Sequence, residues 1–292
     1  MNVEVSVIIP LYNTEKYVAE TIQSVINQSF TNWELIIIDD GSTDSSPSKV
    51  KSFLNDTRIK YHRQSNSGVS AARNNGIKLS AAKYIAFLDA DDTWEKTNLE
   101  EKLNVLRENT IDFVFSDMEL INERSESINA PLQGTDKDML KHSLLWDRDV
   151  IPTSCSNLVL KRECTVDGLK FDSNFSTAAD KDFCFYLISK YNGKRIPQPL
   201  CNYRILVNSM SRNIAVMEKD HIAVYKKAED NNLFPSYFFK KKCFSNLYSI
   251  LAGSWWKNGN NKIRGSKFIF LSILNYPPNV FKFIKKLFSA KK

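Results

Sequence analysis

The sequence lacks any apolar run long enough to cross a bilayer, and it contains few residues of the kinds that bind zinc. No stretch reaches the roughly 18 uncharged apolar residues of a membrane span. The five cysteines are scattered without C-x-x-C spacing, which indicates reduced packing residues. The three histidines have no second metal-type ligand at useful spacing, which argues against a zinc site. The reduced cysteines are those expected of a cytoplasmic protein.

The composition is otherwise that of an ordinary globular protein. Of the 292 residues, 42% are hydrophobic and 25% are charged. A chain of this length can bury a substantial core, and we expect one large domain with an appendage. An apolar strand begins almost at residue 1, so we expect no secretory signal.

The most informative segment is F-L-D-A-D-D at positions 87–92. A continuous apolar run from 84 to 88 predicts a buried strand, and it ends in Asp89, Asp91 and Asp92. Open α/β folds bind ligands at the carboxyl ends of strands, and clustered like charges are unfavourable without a cation. Carboxylate oxygens there suit Mg²⁺ or Mn²⁺ shared with substrate phosphates. The alternative is a polar turn whose aspartate caps the next helix.

Two further predicted strands end in polar residues. Leu35 to Ile38 is followed by Asp39, Asp40 and a glycine that permits a tight turn. The first strand, 3–10, leads into a helix with apolar residues at helical spacing. Three polar strand ends, each followed by a helix, predict an α/β fold with one ligand cleft along the sheet edge.

Four segments in order identify a family resemblance. They are V-S-V-I-I-P-L-Y-N-T-E at 5–15, D-D-G-S-T-D at 39–44, G-V-S-A-A-R-N-N-G at 68–76 and the 87–92 segment. Together they resemble the family 2 glycosyltransferases, inverting enzymes that use nucleotide-diphosphate sugars. The resemblance covers roughly 1–215 and implies a GT-A fold, a Rossmann-like, mainly parallel sheet flanked by helices. It also implies a nucleotide-sugar half at about 1–117 and an acceptor half at about 118–215.

The resemblance implies roles for residues on the donor side. Pro10, Tyr12 and Glu15 match the loop that lines the nucleoside, and Asp40 matches the carboxylate that binds the base. Arg73 matches a cleft residue near the nucleotide, although a surface arginine on a helix is the alternative.

The same resemblance makes Asp91 the direct ligand of a divalent metal, Mn²⁺ or Mg²⁺. Asp89 then faces the ribose or the metal, and Asp92 caps the following helix. The family's late segment, which folds over the donor, is matched by Tyr203-Arg204 and residues 209–211. Leu206 stands where that segment usually has a histidine, which weakens its closing role.

An inverting transfer is a single displacement, so one carboxylate base must face the acceptor opposite the leaving group. By resemblance this base is Asp180, at the start of a predicted helix, with Asp182 as the fallback. Ala179 stands where a glutamate is common in the family. The alternative for Asp180 is a helix N-cap.

The charge of +7 is unevenly distributed. From 231 to 292 there are twelve Lys and Arg and no Asp or Glu, which leaves the first 230 residues at −5. Near the end, apolar residues at 280, 283, 284 and 287 form one helical face flanked by lysines. This pattern in the C-terminal region, 216–292, indicates an interfacial anchor on an anionic membrane surface. A terminal helix packed on the enzyme and a nucleic-acid contact are the alternatives, and no nucleic-acid motif accompanies the charge.

The sequence therefore predicts a metal-dependent glycosyltransferase, peripheral on the inner face of the cell membrane. It moves one sugar from a nucleotide-diphosphate donor, by preference a UDP-sugar, to a lipid-linked or glycan acceptor in surface polysaccharide synthesis. The absence of Q-x-x-R-W favours single-sugar addition over processive synthesis. The altered residue Ala179 leaves open a catalytically impaired nucleotide-sugar-binding protein. A nucleotidyltransferase is disfavoured because no glycine-rich, basic phosphate loop follows the first strand.

Overall fold

The structure, a computed structural model, describes residues 3–152, 155–166, 168–206, 213–281 and 283. The chain forms two compact units. The first comprises Met1–Met139 and Asp149–Val207, and the second comprises Leu140–Arg148 and Asn208–Lys292. The inclusion of 140–148 in the second unit has no counterpart in the sequence pattern.

One mixed sheet of eight strands organises the described residues of the first unit. In chain order the strands are β1 (Val5–Leu11), β2 (Trp33–Asp39), β3 (Ile59–Arg63), β4 (Tyr84–Phe87), β5 (Thr93–Trp94), β6 (Phe113–Ile121), β7 (Val159–Lys161) and β8 (Gly193–Arg204). The order across the sheet is β3-β2-β1-β4-β7-β6-β8-β5. The pairs β1–β2, β1–β4, β2–β3 and β6–β8 are parallel, whereas β4–β7, β6–β7 and β5–β8 are antiparallel.

Helices follow most of the strands in the chain. They are α1 (Val18–Ile26), α2 (Ser46–Lys51), α3 (Val69–Leu79), α4 (Asn98–Leu106), α5 (Met139–Leu145), α6 (Glu163–Val166), α7 (Ala179–Lys190), α8 (Ile214–Asp230), α9 (Tyr237–Lys257) and α10 (Lys262–Asn275). Every residue of β1 and β2 is buried, as expected for strands covered on both faces. The helix α3 lies so close to β1 that a Cβ at Gly76 would be 2.3 Å from Ile8 Cγ2.

Two strands have local irregularities that bear on the site. The pairing of β6 with β8 shifts register at Ser116 and Asp117. A 3₁₀ turn, Cys155–Asn157, precedes β7. At this turn the Asn157 side chain, rather than a paired strand backbone, makes the hydrogen bonds to the backbone of Ser116. Its Oδ1 accepts the Ser116 N–H at 2.9 Å, and its Nδ2 donates to the Ser116 carbonyl at 2.5 Å.

The second unit is helical in its described residues, and α9 and α10 form a helical hairpin. A buried polar cluster joins the hairpin, because Ser272 Oγ contacts both Ser245 Oγ at 2.9 Å and Ser249 Oγ at 2.8 Å. Among the helices that the structure describes, none combines the length and the apolarity that crossing a bilayer requires. Of the predicted terminal stripe, positions 284 and 287 lie outside the described residues.

Candidate active site

The predicted Asp-x-Asp element lies where the buried strand β4 ends. The Asp89 N–H donates to Ser156 Oγ at 2.9 Å, and the Asp89 side chain is 22% exposed. Burial, and then the neighbouring charge of Asp89, raise the pKa of the Asp91 carboxyl to about 6. The charged form of the Asp91 carboxylate is therefore less stable than that of a solvated aspartate.

Asp92 does not cap the following helix, which corrects the sequence interpretation. Helix α4 begins at Asn98 after its N-cap residue Thr97. Asp92 is instead fully buried, and its Oδ1 accepts the Arg204 N–H at 3.0 Å. Burial, followed by the charges of Asp91 and Asp89, raises its pKa well above the usual range. Its role in the described structure is to tie the turn after β4 to β8.

Arg73 links the donor-side carboxylate to the predicted base. It is 2% exposed, so the alternative of a surface arginine is wrong. Its Nη2 donates to Asp89 Oδ1 at 2.6 Å, and its Nη1 donates to Asp180 Oδ1. Burial alone would lower the pKa of Arg73, but the charges of Asp180 and Asp89 outweigh it and raise the pKa well above its usual value. The guanidinium is thus a fixed positive charge shared by two carboxylates.

Asp180 lies in the first turn of α7 and does not act as its N-cap. The N-cap residue is Ala178, which makes no side-chain capping bond. Asp180 Oδ2 accepts the Cys155 N–H at 3.2 Å, and the side chain is 29% exposed. The fallback residue Asp182 is 8% exposed. Of these two carboxylates, Asp180 is therefore the more accessible to an acceptor.

The turn Cys155–Asn157 contacts both carboxylate sites. Its first residue donates the backbone N–H to Asp180, and Ser156 Oγ accepts the N–H of Asp89. The Ser156 carbonyl also accepts the Trp94 Nε1–H at 2.8 Å. This turn positions the end of β4 and the start of α7 together, a role that no motif in the sequence indicated.

A buried lysine anchors that turn. Lys102 of α4 has no exposed surface, and its Nζ donates to the Asn157 carbonyl at 2.8 Å and to Asn157 Oδ1 at 3.0 Å. Burial lowers the pKa of Lys102 to about 7. In the sequence, this contact was indicated only by a lysine at position 102 beside the apolar residues of the α4 segment.

Asp40, predicted to bind the base, is buried and holds the loop between β3 and α3. Its Oδ1 accepts the Ser67 N–H and the Gln64 Nε2–H, both at 2.8 Å. Its Oδ2 accepts the Gly68 N–H at 2.8 Å, where Gly68 has a φ of +89° just before α3. A carboxylate has about four lone-pair sites, and these three hydrogen bonds use three of them.

The other predicted nucleoside residues have differing environments. Pro10 is buried inside β1, whereas Tyr12, just after the strand, is 49% exposed. Glu15 Oε2 accepts the Ser45 N–H at 2.8 Å, and the Glu15 N–H donates to Asp44 Oδ2 at 3.0 Å. This exchange joins the loop after β1 to the loop after β2.

Arg204 is buried against the backbone of the Asp-x-Asp turn. This position does not fit a residue that folds over a donor. Its side chain has no exposed surface. It donates to the Asp91 carbonyl at 2.8 Å, to the Asn122 carbonyl at 3.0 Å and to Glu20 Oε2 at 2.7 Å. Arg204 therefore positions the backbone of Asp91 from the buried side of the turn. The matched residues 209–211 lie outside the described residues.

The carboxylates fit a cation that is shared with a phosphate group. Within the described ranges, no group of three or more His, Cys, Asp or Glu side chains is placed to hold a metal ion. Mg²⁺ is usually bound by one or two carboxylates together with substrate phosphates and water, so a protein set of three is not required. The raised pKa of Asp91 beside Asp89 marks a site where a cation would relieve repulsion.

Comparison with known proteins identifies the family. Residues 6–163 match the family model "Glycosyl transferase family 2", and the chain belongs to this family. It is 32% identical over 232 residues to the putative teichuronic acid biosynthesis glycosyltransferase TuaG of Bacillus subtilis, covering 77% of this chain and 88% of that one. It is also 39% identical over 122 residues to an Escherichia coli enzyme, covering 41% of this chain and 48% of that one. That enzyme is the UDP-Glc:alpha-D-GlcNAc-diphosphoundecaprenol beta-1,3-glucosyltransferase WfgD.

Solved structures share the fold. Staphylococcus aureus TarS 1–349 in complex with UDP-GlcNAc aligns with a TM-score of 0.64 at 18% identity, over 88% of this chain and 74% of that one. The mannosyltransferase PcManGT from Pyrobaculum calidifontis, in complex with GDP-Man and Mn²⁺, aligns with a TM-score of 0.60 at 14% identity. The alignment covers 98% of this chain and 85% of that one. The predicted family and the predicted GT-A fold are confirmed. The protein is a family 2 glycosyltransferase.

Proposed function

We propose that this glycosyltransferase is inverting and transfers one sugar from a UDP-sugar to a lipid-linked acceptor. The observation that carries the proposal is the bridge from Asp89 through Arg73 to Asp180. It joins the carboxylate at the predicted donor site to the carboxylate predicted as the base. The UDP-GlcNAc of TarS and the diphosphoundecaprenol acceptor in the name of WfgD support this choice of donor and acceptor class.

In the proposed reaction, Asp180 accepts the proton of the acceptor hydroxyl as that oxygen attacks the anomeric carbon. The bond to the diphosphate breaks in the same step, so the anomeric configuration inverts. Asp180 suits this role because one of its faces is exposed while its oxygens are held by Arg73 and by the Cys155 N–H. A carboxylate fixed in this way needs little reorientation before proton transfer.

On the donor side, Asp91 and Asp89 would hold a divalent cation, Mn²⁺ or Mg²⁺. When bound, the cation neutralises charge on the departing diphosphate. We further propose that Pro10, Tyr12, Glu15 and Asp40 line the nucleoside site. Tyr12 supports this best, because its ring is exposed at the carboxyl end of β1.

We also propose that the protein acts at the inner face of the cell membrane, attached through its basic C-terminal region. The support is the run of twelve Lys and Arg without an acidic residue from 231 to 292. Each basic residue close to an anionic leaflet contributes roughly 1 kcal/mol of binding free energy. A lipid-linked acceptor would then lie in the same plane as the enzyme.

The test compares Asp180→Asn with Asp182→Asn in an assay of UDP release and sugar transfer. A panel of UDP-, GDP- and dTDP-sugars supplies the donor, with Mn²⁺ present. We expect Asp180→Asn to abolish transfer and to leave donor affinity within a few-fold, because this side chain addresses the acceptor. Asp182→Asn should retain most of the transfer. Loss in Asp182→Asn alone would move the base to Asp182 and overturn the assignment.

The alternative of a catalytically impaired binding protein depends on Ala179, which replaces the glutamate common in the family. Ala179 is 1% exposed at the start of α7, so this position is used for packing. Binding of a UDP-sugar by the wild type without UDP release from any donor and acceptor would favour the impaired protein.

A further inference from the structure

The helix α10 presents more large apolar side chains outward than a helix of a water-exposed surface normally does. Its buried residues are Gly265, Phe268 and Ser272. Its exposed apolar residues include Ile263 at 86%, and Phe270 and Leu274 at about two-thirds. Surface helices usually place their apolar stripe inward and their polar side outward. In α10 the outward side is also apolar.

These exposed residues share one face of the helix. Positions 263, 267, 270 and 274 are spaced by four, three and four residues, which aligns their side chains along the helix. Lys267 is the fourth member and is exposed. We call Ile263, Lys267, Phe270 and Leu274 the outward face of α10. The inward side is already occupied, since Ser272 contacts Ser245 and Ser249 of α9.

The sequence around this face is basic. No acidic residue occurs after Asp230, and Lys257 and Lys262 flank the helix start. Glu218 of α8 is the acidic partner of Arg264, whose Nε and Nη2 donate to its two oxygens at 2.8 Å each. Glu218 is therefore already paired with Arg264 and does not balance the charge of the lysines. An occupant of the face should be apolar and negatively charged at its border.

We propose that the outward face of α10 lies on an anionic lipid bilayer, with Ile263, Phe270 and Leu274 at the boundary between headgroups and acyl chains. This deepens the membrane attachment under the proposed function, and rests on it. A helix of 14 residues is about 21 Å long, which suits a position in the membrane plane. A second copy of the chain would bring the same lysines into contact with each other. A nucleic acid would leave the apolar side chains without partners.

The experiment measures co-sedimentation of the full chain with vesicles of phosphatidylcholine containing phosphatidylglycerol, and with vesicles of phosphatidylcholine alone. The double variant Phe270→Ser/Leu274→Ser removes the apolar contribution without adding charge. Lys267→Gln removes the charge from the same face. The matched control is Val166→Ser, which changes an apolar side chain that is 74% exposed in the first unit. Circular dichroism confirms that each variant is folded.

We expect the double variant to bind anionic vesicles at least 10-fold more weakly than the wild type, and Lys267→Gln a few-fold more weakly. Val166→Ser should bind like the wild type, and wild-type binding should decline in 1 M salt, where the Debye length is about 3 Å. Equal vesicle binding by the double variant and the wild type would overturn the proposal. So would a wild-type dimer that the double variant converts to a monomer without a change in vesicle binding.

The catalytic proposal is tested separately on the same proteins. UDP release in detergent solution, with a water-soluble acceptor analogue, should be unchanged in the α10 variants. Vesicle binding without UDP release from any donor would reject the catalytic proposal alone. UDP release without vesicle binding would reject the α10 proposal alone.

Discussion

Arg73 and Asp180 form an ion pair across 107 positions of sequence, within the network that also includes Asp89. The positive charge is buried, whereas each carboxylate retains some exposure. A buried arginine with two partners is well suited to fix their separation, because the guanidinium is planar and presents several donors. The spacing between the two carboxylates therefore depends on this side chain together with the turn Cys155–Asn157.

Arg73→Met should lower transfer by about 100-fold or more, because it removes the positive charge that Asp89 and Asp180 share. Arg73→Lys should recover part of the stability but little of the transfer, since an ammonium lacks the fork geometry. Steady-state kinetics and thermal unfolding measure the two effects. The control is Arg107→Met, because Arg107 is half exposed and pairs with Glu4 at 3.3 Å. Equal activity of Arg73→Lys and the wild type would contradict the bridging role.

Asp91→Asn should reduce transfer by on the order of 100-fold and weaken UDP binding in the presence of Mn²⁺, because one charged oxygen donor is lost. The fold should be unchanged. Isothermal titration of UDP with and without Mn²⁺ measures the effect. Asp56→Asn changes a carboxylate paired with Arg58 at the surface and serves as the control. Full activity of Asp91→Asn without added metal would reject the Asp-x-Asp assignment.

Lys102 should make stability increase with pH. Its pKa in the folded state is lowered to about 7, against 10.5 for an ordinary lysine. Between these values the unfolded chain binds a proton that the folded chain lacks, so raising the pH favours folding by up to about 1.4 kcal/mol per pH unit. Below pH 7 both states are protonated and this slope disappears.

Lys102→Met cannot titrate, so the wild type should gain stability relative to this variant as the pH rises from 7 to 10. Urea unfolding at three pH values in that interval measures the difference in the free energy of unfolding. Parallel stability curves for the two proteins would show that Lys102 keeps its ordinary pKa. The variant also leaves the Asn157 carbonyl without its lysine donor, which should lower kcat through the turn Cys155–Asn157.

Two helical glycines should respond oppositely to alanine. Gly76→Ala places a methyl group 2.3 Å from Ile8 Cγ2, so β1 or α3 must move, and we expect a loss of about 1–3 kcal/mol. Gly253→Ala in α9 meets no atom within 4 Å, and we expect a gain of up to about 1 kcal/mol. Thermal unfolding measures both changes. A destabilised Gly253→Ala would indicate close packing at that position.

Local signals in the sequence were sufficient to predict the strand ends at which the candidate site lies. Asp89 and Asp91 follow a short apolar run that predicts a buried strand, and the family resemblance then implied Asp180 as the base, which stays a prediction. The long strand β8 was not predicted, because Pro197 and Pro199 interrupt it and its residues do not alternate between apolar and polar. It forms nevertheless because β6 and β5 both pair with it.

The supporting residues were not predictable, since each depends on a partner distant in sequence. Lys102 binds a residue 55 positions away, and Arg204 binds Glu20 across 184 positions. A lone lysine or arginine gives no periodic signal, so only the folded chain identifies it as buried. The predicted domain limits at 117 and 215, and the roles of Pro10, Tyr12, Glu15 and Asp40 in binding the nucleoside, stay predictions.

The place of β7 between β4 and β6 has a consequence for how the protein is made. Before Val159–Lys161 is synthesised, β4 can pair with β1 along one edge, but its other edge has no partner strand. The ribosome adds about 5–20 residues per second, so the 74 residues from Phe87 to Lys161 take about 4–15 s. During that interval a nascent chain exposes a bare strand edge that can pair with other chains. A fragment ending near residue 117 would lack β7 and would keep that edge of β4 unpaired permanently.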